Sequence, residues 1–291
     1  MSDSTLRLRD GRQVGYAEYG DLTGKPVVFF QGTPSSRLLH PDEAITREMG
    51  VRLIVIDRPG FGLSDFKPGR SLLDWADDVS EVLDLLKIER FAVVGISGGG
   101  PYVAACALKI PQRLTAALMV SSGGPADAPG ALDGIARQRR LGYWAAQHAP
   151  WLLYAILWLT KNPQRNPEKF FQSYTGISAA HDQAIIQRPE MTAMLKRNYV
   201  EATRRYGVRG FAQEVILVGK PWGFRLQDIA FPVGLWHGDC DTSTPIGMAR
   251  YMAQVMPHST TRFFPGEGHW LLFTHWREIL AELIQDHAST Y

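Results

Sequence analysis

The chain contains a serine, an aspartate and a histidine in the order and settings expected of a nucleophile, an orienting acid and a base. Ser97 is the centre of the pentapeptide GISGG at residues 95–99, and Asp241 and His269 come later in the chain in that order. A serine hydroxyl needs a base to take its proton, and the base needs an acidic group to orient it. We therefore predict Ser97 as a nucleophile with His269 as its base.

The residues around Ser97 predict a sharp strand-to-helix turn. An apolar run at 91–94 precedes the pentapeptide, and a helical pattern at 100–110 follows it. In such a turn the residues two before and two after the serine approach each other closely, so Gly95 and Gly99 are expected for a steric reason. The alternative is a glycine-rich turn in which the serine is incidental.

The candidate acid and base each follow an apolar run that predicts a strand, at 233–237 and 260–264. The carboxyl ends of parallel strands meet at one edge of a sheet, so side chains in the two loops should lie close together. Asp239 shares its loop with Asp241, and their positions alone leave both open as the orienting acid. For His269 the alternative is a surface histidine that caps the last helix.

Acyl transfer also needs backbone N–H groups directed at the developing oxyanion. We predict that one comes from Gly98 and the other from Thr33, in the loop QGTPSS at residues 31–36. Gly32 permits a tight turn there, whereas Pro34 has no N–H to donate. The alternative is an ordinary turn.

The elements that would position these residues alternate along the chain, which predicts an α/β protein with a doubly wound, mostly parallel sheet. Residues 125–230 show helical patterns and no convincing strand, so we predict a helical cap inserted there into a core domain of residues 1–124 and 231–291. The predicted elements are an antiparallel hairpin at 6–8 and 14–17, buried strands at 27–30, 53–56, 91–94, 116–120, 233–237 and 260–264, and helices at 72–86, 100–110, 246–255 and 270–284.

Taken together, these motifs resemble the α/β-hydrolase superfamily over nearly the whole chain. The resemblance rests on GISGG at 95–99, on DRPGFGLSD at 57–65, on the glycine, aspartate and proline of 238–245, and on GEGH at 266–269. It implies a hydrolase with no cofactor or metal and a cap over the site, and it favours Asp241 over Asp239.

Two positions bear on the branch of that superfamily. In that superfamily the loop after the third strand usually begins with His-Gly, whereas this chain has Gln31-Gly32. We expect the Gln31 amide to hydrogen-bond the loop instead. A serine at 97 disfavours the haloalkane dehalogenase and epoxide hydrolase branches, which need a carboxylate there.

We predict hydrolysis of a carboxylic ester or lactone through an acyl-enzyme. The alternatives are C–C bond hydrolysis, amide or aminopeptidase cleavage and perhydrolysis by the same residues, or a ligand receptor with vestigial turnover. The expected partner is a small-molecule substrate with an apolar acyl or alcohol part.

Composition narrows the classes of function and location. A net charge of +2 without charged blocks disfavours nucleic acid, and no apolar run is long enough for a membrane span. Two widely separated cysteines and a polar beginning at residues 1–7 predict a cytoplasmic protein without disulfides.

The predicted cap has two further features. Residues 125–230 contain 14 Lys and Arg against 8 Asp and Glu, which predicts either a preference for anionic substrates or an ordinary basic surface. Trp144, Trp151 and Trp158 recur every seven residues. Such a stripe is typical of helices packed on a core, with an apolar substrate funnel or a membrane-facing surface as alternatives.

Overall fold

The computed structural model of the chain describes residues 4–133, 135, 137–176 and 178–285; residues 1–3 of the polar beginning lie outside this set. Its centre is one eight-stranded sheet. The strands are β1 (Ser4–Arg7), β2 (Gln13–Gly20), β3 (Lys25–Phe30), β4 (Val51–Ile56), β5 (Phe91–Ile96), β6 (Leu114–Val120), β7 (Val233–Gly238) and β8 (Ser259–Phe264).

The spatial order of the strands is β1-β2-β4-β3-β5-β6-β7-β8. β1 and β2 pair antiparallel, and β2 pairs antiparallel with β4. The remaining neighbours are all parallel. The predicted doubly wound, mostly parallel sheet is therefore confirmed, and the loops after β3, β5, β7 and β8 share one edge of it.

The central strands are buried on both faces because helices cover both sides of the sheet. In β3, Val27 and Phe29 belong to one hydrophobic cluster, whereas Val28 and Phe30 belong to the other. All four side chains are fully buried. Successive side chains of a strand point to opposite faces, so a continuous apolar run is what a doubly covered parallel strand requires.

The helices of the described residues fall into three groups along the chain, before β6, between β6 and β7, and after β7. Helices α4 to α9 all lie between β6 and β7 in sequence, which confirms that this stretch is helical. The helices are α1 (Glu43–Glu48), α2 (Asp74–Leu85), α3 (Gly100–Lys109), α4 (Arg137–His148), α5 (Pro150–Thr160), α6 (Pro167–Thr175), α7 (Ala180–Ile186), α8 (Pro189–Ala202), α9 (Val208–Gly219), α10 (Ile246–Val255), α11 (Leu271–Thr274) and α12 (Trp276–Ile284).

The tryptophan stripe does not pack on the core, so that interpretation is wrong. Trp144, Trp151 and Trp158 are 50%, 75% and 46% exposed, whereas Leu153 and Leu157 of α5 are buried. For Trp151 and Trp158 the reason is that α5 is apolar all round, so periodicity could not select its inner face. None of the three indoles lines the cavities beside Ser97, although Tyr143 and Leu153 of the same helices line the larger one.

The single helix predicted over 270–284 is also wrong. It is broken at His275, whose φ of −107° and ψ of 21° are not helical. The His275 ring lies between two carboxylates, 2.6 Å from Glu267 and 2.8 Å from Glu278. These contacts hold the ring at the junction of α11 and α12.

Two remaining predictions concern cysteines and membrane spans. Cys106 is buried and Cys240 exposed, and neither forms a disulfide. None of the helices in the described ranges combines the length and hydrophobicity needed to cross a bilayer.

Candidate active site

Ser97 occupies the sharp turn that its neighbours predict. It follows β5 directly, begins a short 3₁₀ turn that leads into α3, and has a φ of +57°. This left-handed conformation is unfavourable for a residue with a side chain. A Cβ on Gly95 would lie 2.6 Å from the Gly99 carbonyl oxygen, and one on Gly99 would lie 2.0 Å from the Phe30 carbonyl oxygen. Both glycines are therefore required by backbone contacts.

The candidate acid and base are in direct contact. The distance from His269 Nδ1 to Asp241 Oδ2 is 2.7 Å. Asp241 Oδ1 accepts hydrogen bonds from the backbone N–H groups of Ser243 and Thr244 at 2.7 and 2.9 Å, and its Oδ2 accepts one from the Thr244 hydroxyl at 2.7 Å. The carboxylate is thus fixed on both oxygens, which in turn fixes the imidazole.

Asp241 has a second histidine beside it, at the end of β7, whose position in the sequence predicts packing at a strand end and not the base. His237 Nε2 lies 3.4 Å from Asp241 Oδ2 and 2.7 Å from the Thr244 carbonyl oxygen. Burial alone would raise the pKa of Asp241, but His269, followed by His237, outweighs it and holds the pKa at about 2. Burial lowers the pKa of His237. Asp241 is therefore ionised throughout the neutral range.

The rival carboxylate points elsewhere. Asp239 Oδ1 accepts the backbone N–H of Gly266 at 2.7 Å, at the exposed side of the loop. Of the two aspartates, the structure brings Asp241 against His269.

The loop after β3 brings Thr33 beside the turn at Ser97. Thr33, Ser97 and Gly98 line one cavity, and a Cβ built on Gly98 would lie 3.6 Å from the Thr33 backbone nitrogen. A Cβ on Gly32 would approach the Ser97 Cβ to 3.3 Å. Both predicted oxyanion donors therefore lie next to Ser97. The peptide bond between Thr33 and Pro34 is cis.

Gln31 does not support this loop with its amide, contrary to expectation. Its side-chain nitrogen donates to the carbonyl oxygen of Ile56 at the end of β4, at 3.0 Å. The guanidinium of Arg58 holds the loop instead, because it donates to the carbonyl oxygens of Gln31 at 2.5 Å and Gly32 at 2.8 Å. It also donates to the Thr33 hydroxyl at 2.9 Å.

Arg58 is in turn held by Glu214 of α9, a fully buried carboxylate that the sequence analysis missed. Glu214 accepts from Arg58 Nε at 3.0 Å, from the Tyr102 hydroxyl at 2.6 Å and from Arg70. Burial alone would raise the pKa of Glu214, but Arg58 and Arg70 outweigh it and lower the pKa. A buried ionised network therefore joins α9 to the loop after β3.

A second buried carboxylate reaches the loop that carries His269. Asp182 of α7 accepts the backbone N–H of His269 at 3.0 Å and that of Trp270 at 2.9 Å. A Cβ on Gly268 would lie 2.5 Å from both Asp182 oxygens. The glycine of the GEGH motif thus makes room for a carboxylate from another part of the chain.

Two further helices contact the loop after β3. Asn198 of α8 accepts the backbone N–H of Ser36 at 2.8 Å through its side-chain oxygen, and the Tyr174 hydroxyl of α6 donates to the Thr33 carbonyl oxygen. In the sequence, buried polar residues of this kind can be recognised by a polar side chain on an otherwise apolar helix face. Glu214, between Phe211 and Val215, is an example.

Two cavities meet at Ser97. The larger has a volume of about 190 Å³ and is lined by Thr33, Gly98 and side chains of α4, α5 and α9. The smaller has a volume of about 40 Å³ and is lined by His269 and Trp270. Ser97 lines both, so a carbonyl placed at Ser97 has room on two sides.

The chain matches the family described as the alpha/beta hydrolase fold over residues 25–275. It therefore belongs to this family, which is a family of hydrolases. A solved structure of a hydrolase from Pseudomonas aeruginosa PA01 has the same fold, with a TM-score of 0.71, 17% identity and 99% of each chain covered.

Two curated relatives differ in their named activities. A non-heme chloroperoxidase of Streptomyces lividans is 25% identical over 279 residues, which is 93% of this chain and 94% of the relative. A 2-hydroxy-6-oxononadienedioate/2-hydroxy-6-oxononatrienedioate hydrolase of Paraburkholderia phymatum is 25% identical over 236 residues, 78% of this chain and 73% of the relative. The family therefore fixes the fold and the general class of hydrolases, within which named activities differ.

Proposed function

We propose that this protein is a serine hydrolase that cleaves a carboxylic ester or lactone, with Ser97, His269 and Asp241 as its catalytic triad. The observation that carries the proposal is the 2.7 Å contact between His269 Nδ1 and Asp241 Oδ2, beside a cavity lined by both His269 and Ser97. Ser97 has the strained turn of a nucleophile.

In the proposed reaction the Ser97 hydroxyl oxygen attacks the ester carbonyl while His269 Nε2 takes the hydroxyl proton. The backbone N–H groups of Gly98 and Thr33 stabilise the oxyanion. His269 then gives its proton to the leaving alcohol, and Asp241 stabilises the imidazolium. His269 then takes a proton from a water that attacks the acyl-enzyme, and it returns this proton to the Ser97 oxygen as the acid is released.

We further propose that residues 125–230 form a cap over a core domain of residues 1–124 and 231–291. Helices α4, α5 and α9 supply walls of the larger cavity, including Tyr143, Leu153 and Phe211. Four other contacts bind this helical segment to the core loops, through the buried or half-buried side chains of Tyr174, Asp182, Asn198 and Glu214. The proposed cap is thus an anchored part of the site.

Labelling with a fluorophosphonate probe, followed by mass spectrometry of the adduct, tests the nucleophile. We expect the adduct on Ser97, and we expect Ser97→Ala to lose both labelling and ester hydrolysis, the latter on the order of 10⁴-fold or more. Ser178→Ala is a suitable control, because Ser178 also lines the smaller cavity but has no proposed role. An adduct elsewhere, or full activity of Ser97→Ala, would disprove the assignment.

C–C bond hydrolysis is the second candidate, because the Paraburkholderia phymatum relative is named as a hydrolase of that kind. The same serine and histidine would act on a ketone in place of an ester. Assaying esters, amides and vinylogous diketones side by side separates the candidates. Turnover of diketones alone would favour the second.

We also propose a cytoplasmic location. Cys240 is an exposed free thiol and Cys106 a buried one, and unpaired thiols are typical of a reducing compartment.

A further inference from the structure

The two cavities differ in whether they contact His269, the proposed donor of the proton to the leaving alcohol. His269 lines the smaller cavity, and it is not among the residues that line the larger one. In ester hydrolysis the imidazole must reach the oxygen of the leaving alcohol within hydrogen-bond distance. The alcohol side of the ester therefore belongs in the smaller cavity, which leaves the larger one for the acyl side.

The size of the smaller cavity limits the alcohol. A single water needs about 10–15 Å³ by the same measure, so about 40 Å³ holds roughly three water-sized groups. Pro34, Leu39, Tyr199 and Trp270 supply most of its apolar wall. Such a space fits a methyl or ethyl group better than a long or aromatic alcohol.

The larger cavity has a mostly apolar lining with hydroxyl groups beside Ser97 and one lysine. Leu153, Leu157, Phe211 and Val215 line it, and among the described lining residues Lys161 is the one with a full charge. No acidic residue occurs among those lining residues. A mostly apolar cavity with one lysine and no acidic residue in its described lining favours a ligand that is mostly hydrocarbon and carries one anionic group.

Lys161 is held at the wall by its neighbour. Its ammonium donates to the carbonyl oxygen of Ser173 at 3.1 Å and to the Ser173 hydroxyl at 3.0 Å, and Ser173 lines the same cavity. Lys161 follows the end of α5 directly, while Ser173 lies in the last turns of α6. The charge is therefore placed by two helices and does not depend on a freely moving side chain.

We propose that the substrate is an ester of a small alcohol, such as a methyl ester, whose acyl chain carries a carboxylate that Lys161 binds. This inference rests on the proposed ester hydrolysis. It assigns the specificity for the acyl group to Lys161 and the specificity for the alcohol to the walls of the smaller cavity. The products are a dicarboxylic acid and a small alcohol.

A purely structural role for Lys161, in which it only ties α5 to α6, would not distinguish charged from neutral substrates. The test is therefore a ratio of kcat/KM values for paired methyl esters of equal chain length. The first member of each pair is the monomethyl ester of a dicarboxylic acid, from succinate to suberate, and the second is the methyl ester of the matching monocarboxylic acid. Hydrolysis is followed by titration of the released acid.

At the best chain length we expect the wild type to prefer the carboxylate ester on the order of 30-fold or more, the size of effect expected when one member of a desolvated charge pair is removed. Lys161→Met should bring the ratio close to one, and Lys161→Arg should retain most of it. Lys169→Met is the matched control, because Lys169 is an exposed lysine of the same helical segment, and it should leave the ratio unchanged.

Three outcomes would overturn the inference. These are a wild type with no preference at any chain length, an unchanged ratio in Lys161→Met, and butyl esters of the same acid cleaved as fast as methyl esters. If neutral and charged esters are hydrolysed alike and Ser97→Ala abolishes both activities, the anion-binding role of Lys161 is wrong and the proposed function stands. If the wild type cleaves neither esters nor lactones, the proposed function itself is wrong.

Discussion

Glu214 and Asp182 are both buried carboxylates from the helical segment between β6 and β7, but they are stabilised in different ways. Glu214 lies against two arginines and a tyrosine. Asp182 accepts two backbone N–H groups, and in the described part of the chain it has no basic ion-pair partner. One carboxylate is neutralised by full charges, the other by peptide dipoles.

This difference matches what each carboxylate supports. Glu214 fixes Arg58, whose guanidinium holds the carbonyl oxygens of the loop after β3. Asp182 acts directly on the backbone of His269. We infer that Glu214 stabilises the fold and the loop of Thr33 together, whereas Asp182 mainly sets the position of the candidate base.

Glu214→Gln should have the larger effect on stability. Gln keeps the shape but leaves Arg58 and Arg70 without a counter-charge, and breaking a buried ion pair in this way costs about 3–5 kcal/mol. The measurement is the free energy of unfolding in urea. The control is Glu168→Gln, because Glu168 forms an exposed ion pair with Lys196, and this change should cost less than about 1 kcal/mol. Equal losses of unfolding free energy in Glu214→Gln and Glu168→Gln would show that the buried ion pairs of Glu214 stabilise the fold no more than an exposed one.

Asp182→Asn should affect turnover more than folding. An amide nitrogen in place of one oxygen opposes the N–H of His269 or Trp270, so one buried donor loses its acceptor, at a cost of about 1–3 kcal/mol. We expect kcat for ester hydrolysis to fall on the order of 10-fold or more, with KM little changed, because misplacing a catalytic group slows the chemical step. The exposed Asp228→Asn is the control. A variant with a normal kcat would show that Asp182 does not position His269.

The two carboxylates also show how far the sequence could predict the site. Ser97, Asp241 and His269 could be predicted from the sequence because each lies just beyond a strand. The turn at Ser97 could be predicted because local backbone sterics require glycine at Gly95 and Gly99. Their proximity follows from the parallel sheet alone. The roles assigned to them remain predictions until labelling and mutagenesis test them.

Asp182 and Glu214 could not be predicted from the sequence in this way. Asp182 meets His269 across 87 residues of sequence, and Glu214 meets Arg58 across 156. These contacts depend on how the helical segment packs on the sheet, and no local rule encodes that packing. The exposed position of Trp151 has the same origin, because an all-apolar helix does not reveal its inner face.

The ion pairs of Glu214 should also make the stability of the protein depend on pH, which is a smaller effect than the loss caused by the substitution itself. The pKa of Glu214 is lowered from its ordinary value of 4.5, because Arg58 and Arg70 outweigh the cost of burial. A lowered folded-state pKa contributes stability that is present above the unfolded-state pKa and is lost as pH falls through the folded-state value. The stability gap between wild type and Glu214→Gln should therefore be constant from pH 7 to about pH 5 and shrink at lower pH, by about 1.4 kcal/mol per unit of pKa difference.

Urea unfolding of both proteins at a series of pH values measures this gap directly. Asp241, whose pKa of about 2 also makes the wild type sensitive to acid, is present in both proteins, so its contribution cancels in the difference. A gap that stays the same down to pH 3 would mean that the Glu214 charge is not what the two arginines stabilise. Shape and hydrogen bonding alone would then account for the cost of the substitution, and Glu214 would resemble Asp182 more closely than its ion pairs indicate.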